Sequence, residues 1–106
     1  ILSNGFRELQ EQKMRSAGVE GYFKKIVLSE DIGVHKPFPE IFYFAMSATQ
    51  SELHTSLMIG DNWKNDVEGA KNVGMGNVYY NIKGERGLPF KPGFDMRDWQ
   101  DIASFL

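Results

Sequence analysis

The chain has 106 residues, 42% of them apolar, with a formal net charge of −2 and a pI near 5.6. This length builds one domain with a modest core, and the mild acidity gives no electrostatic footing for nucleic acid or an anionic membrane. The absence of cysteine excludes disulfides, thiolate metal sites and a Cys nucleophile, and no stretch approaches the roughly 20 apolar residues of a membrane span; a cytoplasmic setting is the expectation.

Ile1-Leu2 reads as the end of a buried strand, with neither an initiator Met nor a signal-peptide layout before it. This predicts a chain that begins inside a domain, a fragment covering residues 1–106. Ser3-Asn4-Gly5 turns the chain into a helix over Phe6–Ala17, where Phe6, Leu9, Lys13, Met14 and Ala17 recur at roughly helical spacing and Gly18 suits the C′ position. Ile26-Val27-Leu28, a short β-branched run, predicts a strand buried on both faces. The stretch "DIGVHKPFP" is loop. Pro39 then opens a helix through Met46 whose apolar face is Ile41, Phe42, Ala45 and Met46.

A strand at "SLMIG", a helix over Asp66–Val73 closed by Gly74, and a strand at "NVYYNI" follow. "GERGLPFKPGF" is an irregular loop, and "DWQDIASFL" a final helix with Asp98 as its N-cap. Strands and helices thus alternate with short connections, which predicts an α/β fold: an open, mostly parallel sheet covered by helices.

In such a sheet, ligands bind beyond the carboxyl ends of the strands. Three polar clusters fall there: Ser3-Asn4, Lys36 and Asp61…Asp66. A hydroxyl beside helix-start amides holds phosphate oxygens, and a lysine supplies a compact positive charge. Two carboxylates on one loop make a hard oxygen site suited to magnesium. Together these parts describe phosphoryl transfer, in which catalysis is mostly positioning and charge neutralisation.

Each part also has a plainer reading. Ser3 or Asn4 serves as a helix cap, Lys36 is a solvated loop residue held extended by Pro37, and Asp66 caps the helix after it. Asp61 resists such a reading, because a carboxylate tucked against a strand end needs partners. His35 and His54 lack ligand spacing and read as surface residues, and Lys24-Lys25 beside Tyr22-Phe23 is too short for a nucleic-acid patch. "DNWKND" is no EF-hand loop, since Trp63 stands at its third position and its sixth is not Gly.

These three clusters resemble, in order and spacing, three motifs of the haloacid dehalogenase-like hydrolases. "LSNG" is similar to the second motif, "SEDIGVHKPFPEIF" to the third with Lys36 as its lysine, and "MIGDNWKNDVEGAKNVGM" to the fourth, Gly-Asp-x-x-x-x-Asp. The resemblance implies a three-layer Rossmann-like core and a magnesium-dependent phosphatase of a small phosphorylated metabolite, a sugar phosphate or nucleotide. By it, Ser3 and the Asn4 backbone bind the phosphoryl group, and Lys36 bridges that group and the nucleophile. Asp61 ligates Mg2+, and Asp66 holds the metal's second shell or its waters.

The family's first motif, Asp-x-Asp, which supplies the nucleophile of an aspartyl-phosphate intermediate, does not occur in the chain, and neither does the cap domain. The resemblance therefore implies a core lacking its central first strand, with the nucleophile upstream of residue 1. The missing amino-terminal segment, or a second copy, is expected to complete the sheet, and the chain alone is expected to be inactive. Two other readings stand beside this one: a 2-haloacid dehalogenase, which shares the fold but needs no magnesium, and a non-catalytic binding domain on the same scaffold.

Overall fold

Val27 and Leu28 carry the first sheet. In the computed structural model, which describes residues 1–104, they form β2 (Val27–Leu28), fully buried, as a β-branched run beside a leucine favours. β2 pairs in parallel with β1 (Leu2–Ser3), Leu2 opposite Val27 and Ser3 opposite Leu28. Between them runs α1 (Arg7–Ala17), which ends where Gly18 adopts φ 69° and donates its N–H to the Arg15 carbonyl, the expected C′ geometry. Only Met14 of its spaced apolar positions is buried; Phe6 and Leu9 are 72% and 48% exposed.

A single helical turn, α2 (Ser29–Ile32), stands where the sequence suggests strand end and loop. Asp31 makes that turn: its carboxylate accepts from the Leu28 N–H at 2.8 Å and pairs with Arg7 at 2.6 Å. After the loop, α3 (Pro39–Thr49) starts at its proline and runs three residues beyond the expected Met46. Ile41 and Phe42 are fully buried and Ala45 and Met46 half-buried, the apolar face that the spacing predicts. Burying each large side chain of this kind contributes about 1.5–3 kcal/mol.

These elements make up one compact unit, Ile1–Ser51; a second spans Glu52–Leu106. Its sheet is parallel, in the order β3 (Leu57–Gly60), β4 (Gly76–Tyr80), β5 (Phe94–Met96). Leu57 lies opposite Gly76, and Val78 opposite Phe94. Val67, Ala70, Val73, Met75, Val78, Tyr79 and Met96 form its core. The helix expected from Asp66 begins three residues earlier, as a π-helical stretch Trp63–Glu68 that continues into α4 (Gly69–Asn72). β5 starts at Phe94, the last residue of the expected irregular loop, and runs into the stretch before the final helix. The last helix is a 3₁₀ helix, Trp99–Ser104, with Asp98 accepting from the Gln100 N–H at 2.8 Å as an N-cap does; Phe105 and Leu106 lie outside the described residues. No helix among the described residues is long and apolar enough to cross a membrane.

Candidate active site

Ser3 ends β1, and its position fixes its hydrogen bonding. Its Oγ accepts from the Gly5 N–H and from Gln10 Nε2, each at 3.0 Å. A hydroxyl has two acceptor sites and one donor hydrogen. With both acceptor sites used inside the turn and α1, the hydrogen is left to donate outward.

Asn4, the next residue, binds the backbone of Lys36 from both sides. Its Oδ1 accepts from the Lys36 N–H at 2.8 Å, and its Nδ2 donates to the Lys36 carbonyl at 3.1 Å. Ser29 Oγ in turn donates to the Asn4 carbonyl at 3.3 Å. A residue in the turn after β1 thereby sets the backbone of a lysine 32 positions away, just before the cis Lys36–Pro37 peptide bond. The structure brings Ser3, Asn4 and Lys36 together within the first unit. The side-chain amide of Asn4 is engaged with Lys36, so any role it has toward a ligand falls to its backbone.

In the second unit, Asp61 and Asp66 differ sharply. Asp66 is 4% exposed, and its Oδ2 accepts from the Asn62 N–H at 3.1 Å. It packs so closely on Gly60 that a Cβ there would overlap its carboxylate, which is why the strand ends in glycine. The N-cap of the following helix is Asn62, whose Oδ1 accepts from the Asn65 N–H at 2.9 Å. The plainer reading of Asp66 as that cap is corrected: it lies inside the helical stretch and reaches back to the cap residue's N–H.

Asp61 is exposed at the carboxyl end of β3, with no hydrogen bond or ion pair among the described residues. It borders a cavity of about 190 Å³ together with Tyr79, Asn81, Lys83 and Glu85. The Tyr79 phenol donates to Glu85 at 2.9 Å. Burial, the Glu85 carboxylate and the charges of Asp61 and Asp95 raise its pKa above the ordinary tyrosine value, so it stays a neutral donor. No group of three or more His, Cys, Asp and Glu suited to a metal occurs among the described residues. Magnesium, however, is commonly held by one or two carboxylates plus water and substrate phosphate, and Asp61 with Asp66 fits that smaller donor set.

Sequence reasoning missed two residues that shape this end of the sheet. Asn81, 1% exposed, accepts from the Glu85 N–H at 2.8 Å and donates to the Glu85 carbonyl at 3.1 Å, folding the loop after β4. Trp63 meets Tyr79 edge-on and Phe90 at a tilt, at centroid distances of 5.1 and 4.6 Å, and its indole N–H is buried without a hydrogen-bond partner among the described residues. An asparagine just past a strand, in "YYN", was the available signal for the first.

Residues 1–79 match the family model described as haloacid dehalogenase-like hydrolase. The pyrimidine 5′-nucleotidase YjjG of Escherichia coli is 35% identical over 82 residues, 76% of this chain and 36% of that protein. The magnesium-bound HAD-hydrolase YfnB of Bacillus subtilis superposes with a TM-score of 0.90 at 27% identity, over 98% of this chain and 45% of that one. The 2-haloacid dehalogenase of Pseudomonas syringae pv. Tomato does so at 0.79 and 25% identity, over 86% of this chain and 40% of that one. The chain thus spans less than half the length of each of these proteins.

Proposed function

The chain belongs to the haloacid dehalogenase-like hydrolases, and from that premise we propose that it forms part of a magnesium-dependent phosphohydrolase acting on a small phosphorylated metabolite, a sugar phosphate or a nucleotide. Ser3, through its outward hydrogen, and the Asn4 backbone bind phosphoryl oxygens. Lys36, held by Asn4, neutralises charge on the phosphoryl group and its attacking carboxylate. Asp61 and Asp66 hold the magnesium ion, which when bound offsets the charge of the transferring phosphate. The chain contains no Asp-x-Asp, so the aspartate that forms the aspartyl-phosphate belongs to a segment outside these residues, and the chain alone turns nothing over.

The observation that supports this reading most is Asp61: an exposed carboxylate with no hydrogen bond or ion pair among the described residues, directly after the glycine that ends β3 and beside a cavity. A cation there relieves its repulsion with Asp66 and with an incoming phosphate. The dehalogenase reading draws on the likeness to the P. syringae enzyme, and the non-catalytic reading on the shared scaffold alone.

The test is made in a protein that joins this chain to the family's Asp-x-Asp strand, assayed on p-nitrophenyl phosphate with magnesium. Asp61→Asn is expected to lower turnover by on the order of 10²-fold or more, and Lys36→Ala by roughly 10²–10³-fold, with thermal melting little changed. Full activity of Asp61→Asn, or in excess chelator, sinks the magnesium assignment. Dehalogenation of a 2-haloacid without metal selects the second reading, and inactivity on both substrate classes the third.

A further inference from the structure

A larger cavity, of about 740 Å³, lies along the segment between β4 and β5. Both ends of that segment are tied to β4 or its end. Asn81 clamps the backbone of Glu85, and the Asn77 side chain accepts from the Gly93 N–H at 2.9 Å. Phe90, half-buried, is packed on Trp63 at 4.6 Å, with the Lys71 ammonium 5.0 Å above its ring. The cavity is therefore lined by a loop with fixed ends and a packed aromatic floor.

Its charges do not balance. The two carboxylates on the lining, Glu85 and Asp95, are engaged as acceptors of the Tyr79 hydroxyl at 2.9 Å and of Asn81 Nδ2 at 3.3 Å. Arg86, Lys91 and Arg97 line the same space, and none of the three has an ion-pair partner among the described residues. Arg97 is seated by Gly84, where a Cβ would stand 3.0 Å from its guanidinium. Two guanidinium forks and an ammonium around an opening with apolar walls, Leu88 and Phe90, match a ligand with a phosphate at one end and an apolar or aromatic body at the other.

We propose that this cavity binds a small organic phosphate with an apolar body. The proposal uses none of the residues assigned to phosphoryl chemistry and does not depend on that assignment.

The test is an amide NMR titration of the 106-residue chain in EDTA, so that no cation sits at Asp61, with phenyl phosphate as the probe and inorganic phosphate and phenol as its halves. Phenyl phosphate is expected to saturate with shifts concentrated at residues 84–97, and to bind at least tenfold more tightly than either half. Arg86→Gln and Arg97→Gln are each expected to weaken it roughly tenfold, Lys91→Gln independently by less, and Asp61→Asn to leave it within about twofold. No saturable binding, shifts centred on Ser3, Lys36 or Asp61, or unchanged affinity in both arginine variants would overturn the site. Phenol or inorganic phosphate binding as tightly as phenyl phosphate would overturn the two-part ligand.

Discussion

Gly60 and Asp66 show what a single position demands. The Gly-Asp pair that ends β3 reads in sequence as a stop before a metal ligand. The structure adds a steric reason for the glycine, because the Asp66 carboxylate occupies the space a Cβ would need. Gly60→Ala is expected to destabilise the protein by about 1–3 kcal/mol, the usual cost of forcing atoms into a filled site. Asp66→Ala, made alone, removes the acceptor of the Asn62 N–H. In the double variant the overlap with the carboxylate is removed while that with the Cβ of residue 66 remains, so the Gly60→Ala penalty should shrink and the two changes should be non-additive in urea melts; strict additivity would show that the carboxylate and the new methyl group do not meet. The same carboxylate shows where reading residues one at a time stops. Asp66 before a helical run suggests a cap, but a capping side chain four positions earlier, Asn62, moves the helix start and leaves Asp66 buried inside it.

Helices and strands were legible where a buried face imposed a period, and missed where it did not. Ile41, Phe42, Ala45 and Met46 announce α3 because four neighbouring positions face the core. β5 has no such signature: Phe94 and Asp95 are exposed, only Met96 is buried, and the strand follows Pro92-Gly93. It owes its pairing to β4 rather than to its own sequence. α2 was missed for a related reason, since one turn held by Asp31 leaves no periodicity to read. That turn makes a pH prediction. The Leu28 N–H first, and the Arg7 guanidinium second, stabilise the Asp31 carboxylate and lower its pKa below the ordinary 3.8. A lowered folded-state pKa adds stability that is present above the unfolded value and lost as pH falls through the folded one. Urea melts from pH 5 to 2 should therefore show a steeper acid loss in the parent than in Asp31→Asn, which has no such proton to gain. Parallel pH profiles would remove Asp31 from the account.

At the scale of the whole molecule, the order of strands and helices and three spaced motifs were enough to reach the α/β class and the family, because each motif sits where a strand ends and a turn must begin. What the motifs could not reveal is how each group is held: the Asn4 clamp on Lys36 joins residues 32 positions apart, and the Gln10 bond to Ser3 and the Asn81 bonds that fold the loop beyond β4 involve residues outside the motifs. The chain spans 36% of YjjG and 45% of YfnB, and it carries the groups proposed to bind and neutralise a phosphate without an Asp-x-Asp. Catalysis by covalent attack needs a nucleophile within reach of the bound phosphoryl group. The purified chain is accordingly expected to show no turnover of p-nitrophenyl phosphate with magnesium. Mixing it with a segment that bears an apolar strand and the two aspartates should restore activity, if strand pairing supplies the docking energy that main-chain hydrogen bonds give to added strands. Replacing the first aspartate of that segment by Asn should abolish the restored activity while leaving association, followed by size-exclusion chromatography, intact. Turnover by the chain alone that survives repurification would place the nucleophile among the residues described above and overturn the proposed division of labour.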